Sequence, residues 1–326
     1  MAERRWVCAR LAGALALVSA GPAALAQEAF PSRPITLVVG AAPGSGTDIG
    51  ARLLAKDMAA SMGASVVVEN KPSAAGSIAA QHVARSRPDG YTLFIGSATT
   101  NAANYAYFPG KLGYTPASFE PVGGLGTSPL ALYVATGSPW RTLADLMAEA
   151  KARPGRLNCG NGNSTTQVGC EVFRKQAGVE TVQVPYKSNP QSLTDLAAGT
   201  LQFAFSDTSA AQAFVENRRI RPLAVAAARR LPAAPGVPTF IELGMAGFEI
   251  TGWSMVFAPA GTPAPVVEKL NAAIRKSVQS PESVLRRERA GSLGLDLSVA
   301  EARRFVDTEV ARWVHFVEFS GVKPEQ

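Results

Sequence analysis

One pattern constrains this chain more than any other: short apolar runs alternate with segments whose apolar residues recur every three or four positions, joined by turns rich in Gly, Pro, Ser and Asn. Ile35-Thr36-Leu37-Val38-Val39 is a β-branched run, followed by Ala42-Pro43-Gly44-Ser45-Gly46 and then by Leu54, Met58 and Met62 at i, i+4 spacing. A run that short predicts a buried strand, and the spacing after it predicts a helix face. The unit recurs. Strand Ser65 to Glu69 leads into a helix carrying Ile78, His82 and Val83, and strand Tyr91 to Ile95 ends at Gly96-Ser97-Ala98-Thr99-Thr100. Strands alternating with helices predict an α/β fold built on parallel sheets.

The alternation resumes with strand Leu130 to Ala135, helix Thr142 to Ala152, strand Leu157 to Gly160 with a helix through Val172, and strand Val182 to Val184 with a helix around Leu193 and Leu196. Leu201 to Phe205, Pro222 to Ala227 and Trp253 to Ala258 read as further strands. Two helices close the chain, one on Val267, Leu270, Ile274 and Val278, the other from Val299 to Phe319. Two Pro/Gly-rich stretches, near 108–128 and 231–252, read as surface connections. They divide the chain into a discontinuous lobe, 27–127 plus 248–326, and a lobe inserted at 128–247. With 326 residues, 47% hydrophobic and 17% charged, each lobe can bury its own core without a metal or cofactor.

Residues 1–26 have the make-up of an export signal: Arg4, Arg5 and Arg10 in front, an apolar run from Leu11 to Val18, and the small-x-small site Ala24-Leu25-Ala26. Cleavage after Ala26 would leave Gln27 first and send the chain to a periplasm. Removing those arginines and Glu3 lowers the formal charge from +7 to +5. The remaining basic groups, Arg229-Arg230, Arg286-Arg287 and Arg303-Arg304, have no interleaved aromatics, so they read as solvated surface and not as a nucleic-acid contact. No later apolar run reaches the ~20 residues of a membrane span. Cys159 and Cys170 survive cleavage, and an oxidising compartment permits them to pair. Two separate small buried side chains fit the sequence equally well, because spacing does not supply the Cα distance.

The candidate site lies in three turns between a strand and a helix: Gly44-Ser45-Gly46-Thr47, Ser97-Ala98-Thr99-Thr100 and Gly160-Asn161-Gly162-Asn163-Ser164-Thr165. In open α/β sheets such turns sit at the carboxyl ends of the strands, where ligands bind. Helix-start N–H groups and the dipole favour an anion, and hydroxyls add donors. The alternative is that Ser45, Thr47, Thr99, Ser164 and Thr165 are simply helix caps. Asp48 and Asp207 either complement a helix start or accept a hydrogen bond from a ligand. None of the three turns contains Arg or Lys.

Other chemistries fail on the residues. The G-x-G-x-x-G fingerprint breaks because Ile49 stands at the third glycine, and no Lys-Ser/Thr pair follows to make a nucleotide-binding loop. A serine hydrolase needs a base, and the chain offers only His82 and His315, each in an amphipathic helical pattern. Two distant histidines and two cysteines make no recognisable metal-ligand spacing.

Taken together, several motifs resemble the Bug family, the periplasmic receptors of tripartite tricarboxylate transporters. They are Phe30-Pro31-Ser32-Arg33-Pro34-Ile35, Ala42-Pro43-Gly44-Ser45-Gly46-Thr47-Asp48, Val66-Val67-Val68-Glu69-Asn70-Lys71-Pro72, Pro88-Asp89-Gly90-Tyr91, Val184-Pro185-Tyr186-Lys187 and Ala258-Pro259-Ala260-Gly261-Thr262-Pro263. The resemblance implies a two-lobed type II periplasmic-binding-protein (Venus flytrap) fold. It implies a monomeric receptor, not an enzyme, that takes a small organic acid into the interlobe cleft and delivers it to integral membrane transporter subunits. A ligand sensor for a signalling kinase is the alternative, and an exported serine hydrolase a more distant one. The ligand would lie against Ala42 to Asp48, Ser97, Thr99, Asn161, Ser164, Thr165 and Asp207, with no cofactor.

The sequence departs from the family pattern at Ala41, where an aromatic is usual, at Ser45 and Ser188, where glycine is usual, and in a shortened turn flanked by Cys159 and Cys170. A Cys159–Cys170 disulfide would pin that turn. Less bulk at Ala41 and Cys159 implies a wider cleft.

Overall fold

The computed structural model describes residues 30–43, 45–73 and 76–321. The export signal, its cleavage after Ala26 and the candidate residue Gly44 lie outside these residues. β1 (Ile35–Val39) is almost wholly buried, as its unbroken apolar run requires, and pairs in parallel with β2 (Val66–Asn70) and β3 (Thr92–Ser97). Helices α1 (Gly46–Met62) and α2 (Ser77–Ala84) make the connections. β2, at the sheet edge, alternates half-buried and exposed positions.

From β3 the sheet continues through β9 (Thr251–Pro259) to β4 (Phe119–Ala135), and both pairings are antiparallel. β4 has 17 residues and changes partners along its length. Positions 119–129 pair with β9; from Leu130 the strand runs between β7 (Phe203–Asp207) and β8 (Ile220–Val225), antiparallel to each. β7 then pairs in parallel with β5 (Leu157–Asn161), and β5 with β6 (Thr181–Pro185). The path is β2-β1-β3-β9-β4-β7-β5-β6, with β8 and the short β10 (Leu293–Gly294) also paired to β4.

The sheet is therefore mixed, where strand-helix alternation had implied a mostly parallel sheet in each lobe: β1 and β5 pair in parallel with both neighbours, and every pair made by β4 or β9 is antiparallel. The reason is the path of the chain: it leaves the first half along β4, completes the second half, and returns along β9, so these two crossing strands run in opposite directions. At the crossing, Ala226 N donates to Leu130 O (2.7 Å), Leu130 N to Ile250 O (2.9 Å) and Ile250 N to Ala226 O (3.1 Å).

A second correction concerns the stretch read as a surface connection at 108–128, of which Phe119 onward belongs to β4. Pro121, Gly123, Gly124 and Gly126 hide this strand from a propensity reading. The register slips at Pro121/Gly123 and Gly124/Gly126, and such irregularities tolerate proline and glycine. Helix α9 (Pro281–Arg289) also escaped the sequence reading, because Ser283 is its one buried residue and no apolar period exists to be read.

Helices α1 and α8 (Ala264–Val278) cover one face of the first half through Leu54, Met58, Val267, Leu270 and Ile274. Helix α10 (Val299–Ser320) packs against both a π-type turn, Thr99–Ala103, and α5 (Ser164–Ala177), and so ties the two halves together. Its buried residues Ala302, Val306, Glu309, Trp313 and Val317 recur every three or four positions, the stripe of a half-buried helix. Glu309 within that stripe accepts a hydrogen bond from Trp253 Nε1 (2.8 Å). In the second half Phe205, Phe240 and Phe248 stack. Phe240 and Phe248, with centroids 4.1 Å apart, gain roughly 0.5–1.5 kcal/mol beyond burial.

Candidate functional site

At the first turn Ser45 is the cap of α1, its Oγ accepting from Asp48 N (3.2 Å). Asp48 is 2% exposed, and its carboxylate accepts from Arg52 Nε and Nη2 (both 3.0 Å) and from Asn70 Nδ2 (2.9 Å). Asn70 Nδ2 also donates to Ala41 O (3.0 Å), so the acid anchors the turn. The hydrogen bonding of Arg52 to Asp48 first, and the charge of Asp48 second, raise the pKa of Arg52. Ala42 and Thr47 are exposed, and Gly46 is the first residue of α1. At the end of β3, Ser97 N donates to Thr100 Oγ1 (2.9 Å), which in turn donates to Asn101 Oδ1 (2.7 Å). Half-buried Thr99 opens the π-type turn.

In the second half three successive turns are tied together. Asn161 Nδ2 donates to Gln183 Oε1 (2.8 Å), and Asn163 caps α5 by accepting from Thr166 N (2.9 Å) and from the Thr165 hydroxyl (2.7 Å). The Thr166 hydroxyl reaches Asn189 Oδ1 (3.4 Å), at the start of α6 (Asn189–Ala197), and Asn189 Nδ2 donates to Asp207 Oδ2 (2.9 Å). Asp207 also caps α7 (Thr208–Glu216), its Oδ1 accepting from Ala210 N (2.8 Å) and Ser209 Oγ (2.6 Å). The pKa of fully buried Tyr133 is raised by burial and then by the charge of Asp207. Cys159 in β5 and Cys170 in α5, both buried, are joined by a disulfide that spans the Asn161–Thr165 turn.

The two sets of turns meet where Ser164 Oγ donates to Asn104 Oδ1 (3.2 Å), both residues being buried. A closed circuit of contacts follows. The backbone at Gly40 lies against Gly76, whose φ of +69° excludes most side chains and where a Cβ would lie 2.7 Å from the Thr100 methyl. From there the circuit runs through Asn104 and Ser164 to Thr166, Asn189 and Asp207. It continues from Thr208, whose hydroxyl lies 3.0 Å from Ser128 Oγ and donates to Gly291 O (3.3 Å), to α9. It closes where Arg286 packs on Gly50 of α1. Of the residues singled out from sequence, Ser164 and Asp207 lie on this circuit. Asn163 stood within the third candidate turn; Asn104, Asn189, Thr208 and Arg286 were missed, of which Asn189 carries a legible helix-start signal, whereas Asn104 and Arg286 have none.

This circuit offers hydroxyls, amides and helix starts. Both aspartates are engaged, Asp48 by Arg52 and Asp207 by three donors, and Ser45 Oγ accepts from a backbone amide. His82 and His315 are exposed on α2 and α10. Among the described residues no helix is long and apolar enough to cross a membrane, and no His/Cys/Asp/Glu group could hold a metal ion.

The family model described as "Tripartite tricarboxylate transporter family receptor" matches residues 50–322. The chain belongs to this family. Protein BugT of Bordetella pertussis (strain Tohama I) is 30% identical over 311 residues, covering 94% of this chain and 95% of BugT. Among solved structures, R. palustris Rpa4515 with adipate is 35% identical with a TM-score of 0.85, covering 91% of this chain and 100% of that one. MatC from Rhodopseudomonas palustris with bound malate is 31% identical with a TM-score of 0.81, covering 88% and 100%. The fold is therefore that of the periplasmic binding proteins, and receptors of this family are solute-binding proteins, not enzymes. Of the Arg286-Arg287 pair, Arg286 is exposed, as the sequence suggested, whereas Arg287 is half-buried and donates to Val278 O.

Proposed function

We propose that this chain is an exported periplasmic receptor that closes two lobes on a small organic carboxylate and delivers it to the membrane subunits of a tripartite tricarboxylate transporter. The observation that carries the reading is the Ser164–Asn104 hydrogen bond, which brings together turns from opposite halves of the sheet. A lobe at 27–127 plus 248–326 and a lobe at 128–247 are supported by the partner exchange of β4 at Pro129/Leu130 and by the adjacent crossing at Ile250. The starts of α1, α5 and α7 present positive dipole ends, and the nearby acids are engaged by donors that limit their repulsion of an anion. The candidate ligand contacts are Ala42 to Asp48, Ser97, Thr99, Asn161, Ser164, Thr165 and Asp207. Adipate in Rpa4515 and malate in MatC make a short-chain organic acid the first class to try.

The test is to refold the chain from Gln27 free of carried-over ligand and record its melting temperature against mono-, di-, tri- and aromatic carboxylates. A ligand at about 100 times its Kd adds ~2.7 kcal/mol, roughly 4 °C for a chain of this size. No shift with any carboxylate from a folded sample rejects the carboxylate reading.

A further inference from the structure

We infer that Arg312 of α10 is a positioning residue that latches the two lobes together: it holds them in the arrangement in which Ser164 meets Asn104, and so sets ligand affinity without touching the ligand. The inference rests on the two-lobed receptor reading above and extends it to the hinge.

Helix α10 is anchored to both halves. In its first part Arg303 Nε donates to Glu120 Oε1 (2.7 Å), Phe305 lies edge-on to Trp253 with centroids 5.6 Å apart, and Glu309 Oε2 accepts from Trp253 Nε1 (2.8 Å). Glu120 and Trp253 both stand where β4 pairs with β9, in the first half. One turn later the partners change. Arg312 Nη2 donates to Glu249 O (2.5 Å) and lies 3.9 Å from Glu249 Oε1, and Phe319 O accepts from Lys175 Nζ of α5 (2.7 Å). Glu249 goes with the second half, because its neighbours are fixed there: Phe248 stacks on Phe205 and Phe240, and Ile250 N donates to Ala226 O.

Two bonded pairs therefore flank the crossing of the chain at Ile250, Trp253–Glu309 on one side and Glu249–Arg312 on the other. The guanidinium joins them. Its Nη1 donates to Glu309 Oε1 (3.4 Å) while Nη2 reaches Glu249, and the ring of Phe316, one turn further on, lies 5.3 Å from its centre. Glu309 is buried and itself held by Trp253, so the guanidinium is fixed on the side of α10. Rotation of the second half about Leu130 and Ile250 carries Glu249 away from it, and the Arg312–Glu249 contact is made in this lobe arrangement and lost on opening. A contact that favours the ligand-binding arrangement lowers Kd by raising the population of that arrangement. The planar fork of arginine serves Glu309 and Glu249 at once, and a lysine ammonium does not reproduce it.

The experiment measures calorimetric Kd values and stopped-flow association and dissociation rates of the refolded wild type, Arg312→Met, Arg312→Lys and Asn271→Leu. The ligand is the tightest binder among adipate, malate and the other acids of the melting panel. Arg312→Met should raise Kd at least threefold, through faster dissociation at an unchanged association rate, and Arg312→Lys at least twofold. Asn271→Leu, which loses hydrogen bonds to Val122 O and Leu297 O and none at the crossing, should keep Kd within about 1.5-fold of wild type. A Kd raised less than threefold in Arg312→Met overturns the latch and leaves the carboxylate reading standing; if that variant does not fold, a rise below twofold in Arg312→Lys does the same. An equal rise in Asn271→Leu assigns the effect to stability and also overturns the latch. A wild type that binds no acid of the panel overturns both.

Discussion

Opening the Cys159–Cys170 bond should lower the stability of the receptor by about 2.8 kcal/mol. The bond joins residues separated by 11 positions, and in the loop-entropy relation a closed loop of that length removes roughly 9 cal/mol/K from the unfolded chain, ~2.8 kcal/mol at 25 °C. With ~2.1 cal/mol/K of unfolding entropy per residue, that corresponds to a fall of roughly 4–5 °C in melting temperature. Both sulfurs are buried, so the bond has to be reduced in denaturant and the chain refolded in reductant, which retains both sulfurs and isolates the cross-link. Scanning calorimetry of the oxidised and reduced forms reads the shift. Thiol counting on the denatured, unreduced chain from Gln27 should find no free thiol before reduction and two after it. Two free thiols at the outset, or melting temperatures within about 1 °C of each other, would refute the reasoning.

Three further outcomes are expected. Gly162→Ala drives a Cβ into Ser188 and Asn189 at the start of α6, so it should weaken ligand binding at least tenfold in titration calorimetry; unchanged affinity would mean that this turn is not at the site. Asn271→Leu strands the carbonyls of Val122 and Leu297, which Asn271 Nδ2 satisfies at 2.7 and 2.9 Å, and should cost about 2–4 kcal/mol in urea unfolding. Asp145, Glu301, Glu242 and Asp296 all have carboxyl pKa values below the usual range, held there chiefly by Thr142 N–H, the Ser298 hydroxyl, Thr239 N–H and Arg275 respectively. Their stabilisation is complete above about pH 5 and lost as pH falls through the folded values, so the melting temperature should drop towards about pH 3, less steeply in Asp145→Asn/Glu301→Gln.

Much of the site was legible because helix starts are local events. Ser45 and Asp207 are followed within a few residues by the amides they cap, so their type and position were enough. Asp48 was legible as a helix-start acid, but its bidentate bond to Arg52 and its contact with Asn70 were not singled out. The strand through Pro121, Gly123, Gly124 and Gly126 was invisible because its residues suit a bulged strand crowded by α8 and Leu295, a condition that exists only after packing.

The sequence by itself determined the βα units, the three polar turns and the family, since periodicity, capping and motif all act over a few residues. Tertiary structure decided the directions of β4 and β9, the meeting of Asn104 with Ser164 across 60 positions, and the course of α9 that sets Arg286 beside Gly50. Those depend on where a long excursion of the chain returns, and a backbone hydrogen bond between strands is equally available to many partners until burial of the apolar faces selects one.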